Sequence, residues 1–328
     1  MTKILVIRFS SIGDIVLTSP IFRCLKSQLE NAEVHALTKK QYTSLYASNP
    51  NIDQVHEWGE DNANILAQLK QENFDYVIDV HRNIRTQKIK AALKKKSYSF
   101  PKLNVQKWLY VNFKYNKMPD VHIVDRYFEA VKGLGVKNDN KGLDFFTDGK
   151  STIDKKHLTK GADYVCFAIG AQFATKKMPV DQLAEICSNI DLPIVIIGGA
   201  EDAKAGEDLL QLLSKKTVYN TCGKYSILES ASIVKQAEVL VTHDTGMMHI
   251  AAAYKTPIVS IWGNTVPEFG MYPYRPQQKN TFTIHEVKGL SCRPCSKIGY
   301  QQCPKKHFRC MREQVIDEIS DAIQGFLG

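Results

Sequence analysis

Long apolar runs are missing from this sequence of 328 residues. No stretch approaches the roughly eighteen consecutive apolar residues by which a membrane-spanning helix is recognised. The apolar start of the chain is interrupted by Arg8 and Ser10 before it reaches the length of a signal peptide. We therefore expect a soluble cytoplasmic protein. In that compartment its eight cysteines are expected to be thiols rather than disulfides.

Internal repeats and low-complexity tracts are also absent, which leaves ordinary globular domains as the expected class. The chain does have length and apolar content, since 44% of its 328 residues are hydrophobic. That length exceeds the usual limit of a single core and suits two domains of roughly 150 residues each. We expect two stacked α/β units, with the boundary in the polar stretch from Asp148 to Gly161.

The stretch from Glu238 to Gly263 carries the strongest local pattern. The apolar β-type run Val239–Val241 ends in the polar turn Thr242–Gly246, followed by a small-residue helix, Met247–Tyr254, and a second apolar run, Pro257–Trp262. Open α/β sheets bind ligands at the carboxyl ends of their strands, and the N–H groups that open the next helix favour an anion. We therefore predict a phosphate site in this turn.

A matching pattern lies at the amino terminus. Ile4–Arg8 is a buried-strand run, and Ser10–Asp14 follows it before an amphipathic stretch. Pro20 is expected to kink that helix or to restart it with Ser19 as the cap. Asp14 is thus predicted to lie where the first strand turns into the first helix, beside a glycine that lets a ligand or another backbone come close.

Six further apolar runs predict strands, with helical patterns between them. They cover residues 32–37, 55–58 and 74–80 in the first unit and residues 164–169, 193–199 and 217–221 in the second. Strands that alternate with helices indicate parallel sheets, and so an α/β fold class.

Positive charge is concentrated between His81 and Asp120. Eleven Lys or Arg in this window face one acid, Asp120 itself, and six aromatic residues are interleaved with them. The window predicts either a solvated helix and charged loop or a surface for an anionic substrate or an anionic membrane. A nucleic-acid partner is disfavoured, because helix-turn-helix, zinc-finger and RNA-binding patterns are absent.

Three ordered motifs together carry a family resemblance. They are the segment from Lys3 to Asp14, the segment from Thr175 to Pro179 and the segment from His243 to His249, each at the end of a predicted strand. Their order and spacing over nearly the whole chain resemble glycosyltransferase family 9, the bacterial lipopolysaccharide heptosyltransferases.

The resemblance implies a GT-B fold, in which two Rossmann-like domains face each other across a cleft. On that basis residues 1–155 are expected to bind the acceptor and residues 156–310 the nucleotide sugar. Residues 311–328 are expected to form a C-terminal helix that packs back on the first domain. The expected enzyme is metal-independent and has no cofactor.

The residues themselves suit an inverting sugar transfer, which needs a base for the acceptor hydroxyl and positive character around the departing diphosphate. Asp14 is the candidate base, assumed to have a near-ordinary pKa. Its alternative role is to cap its own helix. Lys176 is the candidate cation, together with the helix-terminal amides near Gly246 and Met247. Its alternative is a solvated lysine.

Further candidates follow the same motifs. On the donor side Asp244 is expected to hold sugar hydroxyls or only to shape its turn, and His249 to contact phosphate or brace the structure. The predicted donor-binding set is Asp244, Thr245, Gly246, Met247 and His249. The predicted acceptor-binding set is Ser10, Ser11, Gly13, His81, Arg82 and Arg85, whose cations suit a phosphorylated or carboxylated lipid-linked sugar.

Four cysteines near the carboxyl terminus leave two interpretations open. Cys292, Cys295, Cys303 and Cys310, with His307 nearby, include one pair at the spacing of zinc ligands. The second pair is spaced more widely than zinc ligands usually are, and a loop packed by buried thiols is the alternative.

The resulting prediction is an inverting glycosyltransferase that moves heptose from ADP-heptose to an anionic lipid-linked core saccharide in lipopolysaccharide biosynthesis, with peripheral contact to the cytoplasmic face of the inner membrane. One alternative keeps the fold with a UDP- or GDP-hexose donor. Another is a non-catalytic adaptor for nucleotide or glycolipid.

Overall fold

Two parallel sheets organise residues 2–328, which the computed structural model describes. The five strands of the first sheet are β1 (Thr2–Ile7), β2 (Ala32–Lys39), β3 (Gln54–Trp58), β4 (Tyr76–Asp79) and β5 (Lys96–Ser99). The six strands of the second sheet are β6 (Val165–Ala168), β7 (Ile194–Ile197), β8 (Val218–Asn220), β9 (Val239–His243), β10 (Ile258–Trp262) and β11 (Phe282–Glu286).

The strand order reverses once in each sheet. The first sheet runs β3-β2-β1-β4-β5 and the second β11-β10-β9-β6-β7-β8, with every described pair parallel. After β1 the chain adds β2 and β3 toward one edge of the sheet, and then returns to place β4 on the other side of β1. In the second sheet β9 is placed beside β6 in the same way. Such reversal points leave a crevice at the carboxyl ends of the two central strands, where open α/β sheets bind their ligands.

Helices connect the strands. In the first half of the chain they are α1 (Ile12–Val16), α2 (Ser19–Gln28), α3 (Ser44–Ala47), α4 (Asn62–Gln71), α5 (Ile84–Leu93), α6 (Asn104–Phe113) and α7 (Ile123–Phe128). In the second half they are α8 (Lys155–Thr159), α9 (Val180–Ser188), α10 (Ala203–Leu212), α11 (Ile227–Lys235), α12 (Gly246–Tyr254), α13 (Arg309–Arg312) and α14 (Ile316–Leu327). None of the helices in residues 2–328 combines the length and apolar character that crossing a bilayer requires.

The chain divides into two compact units. The first comprises the residues up to Lys102 together with Val121–Asp148, and the second comprises Leu103–Asp120 and Gly149–Gly328. The change of unit after Asp148 falls at the start of the polar stretch in which a boundary was predicted. The segment with α6 was expected in the first domain, but it belongs to the second unit because its contacts are made there.

Strand burial explains why the apolar runs were informative. Ile4–Ile7 and Ile194–Val195 are fully buried, since both faces of a parallel sheet are covered by helices. All the predicted strands are present, with ends that shift by up to two residues. Pro20 restarts the helix as expected, although the N-cap is Thr18 and Ser19 is the first helical residue. The strands β5 and β11 were not predicted.

The C-terminal helix packs differently from the prediction. It was expected on the first domain, but the buried side chains of α14, Ile319 and Ile323, belong to the core of the second unit. Its neighbours there are α9, β9 and β10. The amphipathic period of α14 shows that one face is buried, but it carries no information on which sheet that face covers.

We expect Ile319→Ala to lower the free energy of unfolding by about 2 to 5 kcal/mol, because it leaves a cavity in the core of the second unit. Val315→Ala, at a position that is 53% exposed beside the same helix, should cost less than about 0.5 kcal/mol. Urea unfolding of both variants measures the difference. Equal losses would contradict the packing of α14 on the second sheet.

Candidate functional site

Asp14 lies in the short helix that follows the central strand of the first sheet. Ser11 precedes α1 and donates two hydrogen bonds to Asp14 Oδ2, from its backbone N at 3.1 Å and from Oγ at 2.9 Å. The Asp14 carboxylate therefore caps the backbone N–H of Ser11 at the start of the helix. Capping, proposed from sequence as the alternative to catalysis, is thus real, and it also fixes the carboxylate at the reversal point between β1 and β4.

The other oxygen of Asp14 is held by a buried arginine. Arg8 Nη2 lies 2.6 Å from Asp14 Oδ1, and Tyr127 OH donates to that oxygen at 3.4 Å. Arg8 also donates to the carbonyls of Ser10 and Val80, at 2.7 and 2.5 Å. Its guanidinium thus joins the ends of β1 and β4 to the carboxylate. These contacts supply the opposite charge and the hydrogen bonds that a buried charge needs.

The pKa of Asp14 follows from these contacts. Burial raises it, but the Arg8 charge and the hydrogen bonds from Ser11 and Arg8 outweigh burial, so the pKa lies below its ordinary value. The near-ordinary pKa assumed from sequence is therefore wrong. Asp14 is ionised at pH 7, as a base must be, and is a weaker proton acceptor than a free carboxylate.

The remaining predicted acceptor residues divide between this cluster and its surroundings. Ser10 contributes its carbonyl to Arg8, and Gly13 is buried in α1. The ring of His81 lies 5.3 Å from that of Phe9, and burial together with the Arg8 charge lowers the pKa of His81 to about 4. Arg82 Nη1 donates to the carbonyl of Phe100 at 2.9 Å, so this cation braces the exit of β5.

Arg85 contributes to a pocket that sequence reasoning missed. This pocket has a volume of about 820 Å³ and lies in the first unit, where β2 and β3 end. Its lining includes the cations Lys39 and Lys40, the acid Glu57 and the ring of Trp58. Mixed charges beside an aromatic ring suit a polyhydroxylated, partly charged ligand.

Lys176 follows a central strand of the second sheet, as Asp14 follows a central strand of the first. It lies in the loop after β6, and its Nζ is 2.5 Å from Asp244 Oδ2 and 3.1 Å from the Asp244 carbonyl. Thr265, just after β10, donates to the same Oδ2 at 2.8 Å. The lysine predicted as the cation for the diphosphate is therefore paired with the aspartate predicted to hold sugar hydroxyls or to shape its turn.

The helix α12 opens beside that pair. Thr245 is its N-cap, and Gly246 and Met247 form its partly exposed first turn. Helix-terminal N–H groups lack intrahelical acceptors and attract anions. His249 is buried within the helix. His243, at the end of β9, accepts from the Met178 backbone N at 3.0 Å, and burial lowers its pKa to about 4.

Comparison with known proteins matches this arrangement to one family. Residues 63–301 match the family model described as glycosyltransferase family 9 (heptosyltransferase). The match covers more than half of the chain. The chain belongs to glycosyltransferase family 9.

Individual relatives support that assignment. Lipooligosaccharide heptosyltransferase 2 of Campylobacter jejuni is 25% identical over 326 residues, covering 94% of this chain and 95% of the relative. A family 9 glycosyltransferase from Veillonella parvula has a TM-score of 0.79 at 19% identity, covering 99% and 97% of the two chains. The E. coli heptosyltransferase WaaC, solved with ADP, has a TM-score of 0.70 at 16% identity, covering 99% and 100%.

The family assignment identifies an enzyme. This chain is a glycosyltransferase of the heptosyltransferase family associated with lipopolysaccharide biosynthesis, and its α/β fold is of the GT-B class. The predicted fold class and family are thereby confirmed, and the non-catalytic adaptor is set aside.

Several residues of the candidate site escaped sequence reasoning. Arg8 stands inside the first motif, but only the structure shows its bonds to Asp14. Tyr127 and Thr265 reach their partners from distant segments, for which the sequence gives no signal. Arg293 donates to the carbonyls of Gly263 and Thr265 at 2.6 and 2.7 Å and so braces the turn that presents Thr265 to Asp244.

Potential metal ligands of this transferase are found in two parts of the chain, of which one brings them together. Among residues 2–328, His35, His56 and Glu72 are the one group whose ligand atoms all lie within 4.8 Å of one another. Lys3 Nζ already lies 2.7 Å from Glu72, at the amino-terminal end of the sheet, away from Asp14. The four cysteines near the carboxyl terminus do not form such a group.

The cysteines differ in how deeply they are buried. All eight are free thiols, as predicted. Burial raises the pKa of Cys295 to about 11 and that of Cys310 to about 12, with neighbouring cysteines adding to both effects. Cys292 Sγ lies 3.8 Å from His307 Nε2. Cys310 is buried, and Cys292, Cys295 and Cys303 are half-buried, so thiols form part of the packing of this loop.

We expect Ser11→Ala to raise the pKa of the Asp14 carboxyl, since it removes one hydrogen bond to the charged form. Carboxyl NMR titration measures this pKa. Ser10→Ala is the matched control, because Ser10 reaches the cluster through its carbonyl. An unchanged pKa in Ser11→Ala would contradict the role of the hydroxyl.

Proposed function

We propose that this enzyme transfers heptose from ADP-heptose to an anionic, lipid-linked core saccharide, with inversion at the anomeric carbon. Asp14 acts as the base, and the donor diphosphate binds at Lys176 and the amino terminus of α12. The reaction takes place where the lipid-linked acceptor is, at the cytoplasmic face of the inner membrane. No metal takes part in the transfer.

The arrangement around Lys176 is the observation that carries the donor site. A half-buried aspartate, a lysine and a threonine hydroxyl meet at the reversal point of the second sheet, within reach of the first turn of α12. Helix-terminal amides and a lysine are groups that can bind diphosphate without a divalent metal ion. The relative solved with ADP supports adenosine diphosphate as the leaving group.

Pairing with Asp244 gives Lys176 a second task. An arriving diphosphate competes with the carboxylate for the ammonium group, and the carboxylate then becomes available to a sugar hydroxyl as a charge-assisted acceptor. Negative charge on the diphosphate grows as the anomeric bond breaks. The lysine and the amides therefore stabilise the transition state more than the bound donor.

The acceptor side needs a base of fixed direction. Ser11 and Arg8 hold both oxygens of Asp14, so the carboxylate is oriented before the acceptor arrives. The acceptor hydroxyl attacks the anomeric carbon, its proton passes to Asp14, and the diphosphate leaves with the electron pair of the broken bond. A weakly basic carboxylate suits a reaction in which bond breaking at the sugar precedes proton transfer.

The direct test is a transfer assay with purified protein, in buffer containing EDTA. ADP-heptose, a UDP-hexose and a GDP-hexose are each offered with a lipid-linked core acceptor, and products are identified by mass spectrometry. We expect transfer of heptose alone. Transfer from a UDP- or GDP-hexose in preference would overturn the donor assignment, and inhibition by EDTA that magnesium reverses would overturn the metal-free mechanism.

We expect Asp14→Asn to lower kcat by about a hundredfold or more while donor affinity stays unchanged, since a positioned base contributes roughly that much. The amide keeps the shape of the side chain but cannot accept the proton. Steady-state kinetics together with calorimetric binding of ADP separate the two effects. Weaker ADP binding with unchanged kcat would contradict the role of Asp14 as base.

We expect Lys176→Ala to weaken ADP binding at least tenfold and to lower turnover, because a charged hydrogen bond of about 1.5 to 3 kcal/mol is lost. Asp244→Asn should strengthen ADP binding, since it releases the lysine from its ion pair. Lys204→Ala is the control, because Lys204 is an exposed cation of the same unit. Weaker ADP binding in Asp244→Asn would contradict competition for the ammonium.

A further inference from the structure

The helix α6 exposes an unusual amount of apolar surface. Val105 is 67% exposed, Trp108 52%, Phe113 65% and Tyr115 53%. These four are among ten large apolar side chains exposed in residues 2–328, and they lie within one span of eleven residues. Val105 and Trp108 stand one helical turn apart, and the ring of Trp108 contacts that of Phe113 at 5.3 Å. Tyr115 lies two residues beyond the end of α6. We call these four side chains together the outer face of α6.

The opposite side of α6 fixes the direction of this face. Tyr110 contacts the ring of Phe269 at 6.0 Å, and Lys107 Nζ lies 5.8 Å above the same ring. Lys114 Nζ donates to the carbonyl of Pro294 at 2.8 Å. Positions 108 and 110 point about 200° apart on a helix. The contacts that attach α6 to its own unit therefore direct Trp108 away from it.

The charges around the outer face have one sign. In sequence Lys102 and Lys117 flank these side chains, whereas Lys107 and Lys114 make the contacts with the rest of the second unit given above. No acid occurs between His81 and Asp120. Lys117 Nζ lies 4.9 Å above the ring of Tyr115. Aromatic side chains beside lysines suit the interface of an anionic bilayer, where the rings enter the headgroup region and the ammonium groups meet lipid phosphates.

The amino-acid composition of this surface favours a membrane over a protein as its partner. Protein interfaces are depleted in lysine, whereas surfaces that bind anionic lipid are enriched in it. Ten helical residues span about 15 Å, half the thickness of the hydrocarbon core, so α6 can lie on a bilayer but cannot cross it.

We propose that the outer face of α6, with its flanking lysines, is the surface by which this enzyme docks on an anionic membrane. The inference rests on the proposed lipid-linked acceptor, because docking concentrates the enzyme at the surface that holds that substrate. It assigns the contact to one segment, Leu103–Lys117, and to one lipid chemistry, anionic headgroups.

Sedimentation with vesicles tests this surface independently of catalysis. Vesicles of phosphatidylethanolamine and phosphatidylglycerol are compared with vesicles of phosphatidylcholine, in the absence of donor and acceptor. We expect binding to the anionic vesicles that falls with added salt. The double variant Trp108→Ser with Phe113→Ser should bind them at least tenfold more weakly.

The matched control removes two exposed apolar side chains elsewhere in the same unit. Leu212→Ser with Val315→Ser, at positions 59% and 53% exposed, should bind vesicles as the unaltered protein does. Undiminished binding by the α6 variant, or equal losses in both variants, would overturn the proposal. So would a dimer that the α6 substitutions convert to monomers without vesicles, since the face would then be a protein interface.

Activity on two acceptors separates this inference from the proposed function. The α6 variant should keep its kcat on a core acceptor stripped of its acyl chains and lose at least tenfold in rate on the same acceptor embedded in anionic vesicles. Loss on both acceptors would place α6 in the catalytic machinery and overturn docking. Absence of heptose transfer by the unaltered enzyme, with vesicle binding intact, would overturn the proposed function alone.

Discussion

Parallel strand pairing is the constraint on which both charged clusters, Arg8 with Asp14 and Lys176 with Asp244, depend. Because every strand in a sheet runs the same way, all carboxyl ends emerge at one edge, and a reversal of strand order leaves a gap there between two central strands. In the first sheet Arg8 spans that gap from the end of β1 to the carbonyl of Val80 beyond β4. In the second sheet the loop after β6 brings Lys176 to Asp244 beyond β9.

Each of the two clusters contains an ion pair, and the two pairs differ in how they are held. The Arg8–Asp14 pair is largely enclosed and braced by carbonyls, so Arg8 orients the carboxylate and lowers its basicity together. The Lys176–Asp244 pair has fewer braces, with Thr265 as the additional donor to the carboxylate. A dianionic ligand can compete for a lysine in that setting, because the ammonium is a point charge without the directional fork of a guanidinium. The first pair therefore suits orientation, and the second suits exchange of partners.

Sequence reasoning located the strands and motif residues because both depend on local order. An apolar run such as Ile194–Ile197 predicts a buried parallel strand, and a polar turn after it predicts a ligand site. It missed β5, Lys96–Ser99, whose polar residues lack that pattern. Contacts between segments that are distant in sequence could not be predicted either. The period of α14 fits a helix on either sheet, and nothing near Asp14 in sequence indicates Tyr127.

The carboxyl-terminal loop shows how a segment without a regular element supports the contacts around Asp244. Arg293, itself paired with Glu286 at 2.7 Å, holds the carbonyls on both sides of Asn264. The same loop bonds Thr175 through the backbone of Tyr300, with Thr175 Oγ1 accepting from Tyr300 N at 2.8 Å. Thr175 precedes Lys176, and Thr265 follows Asn264. One loop therefore sets the positions of both donors to Asp244.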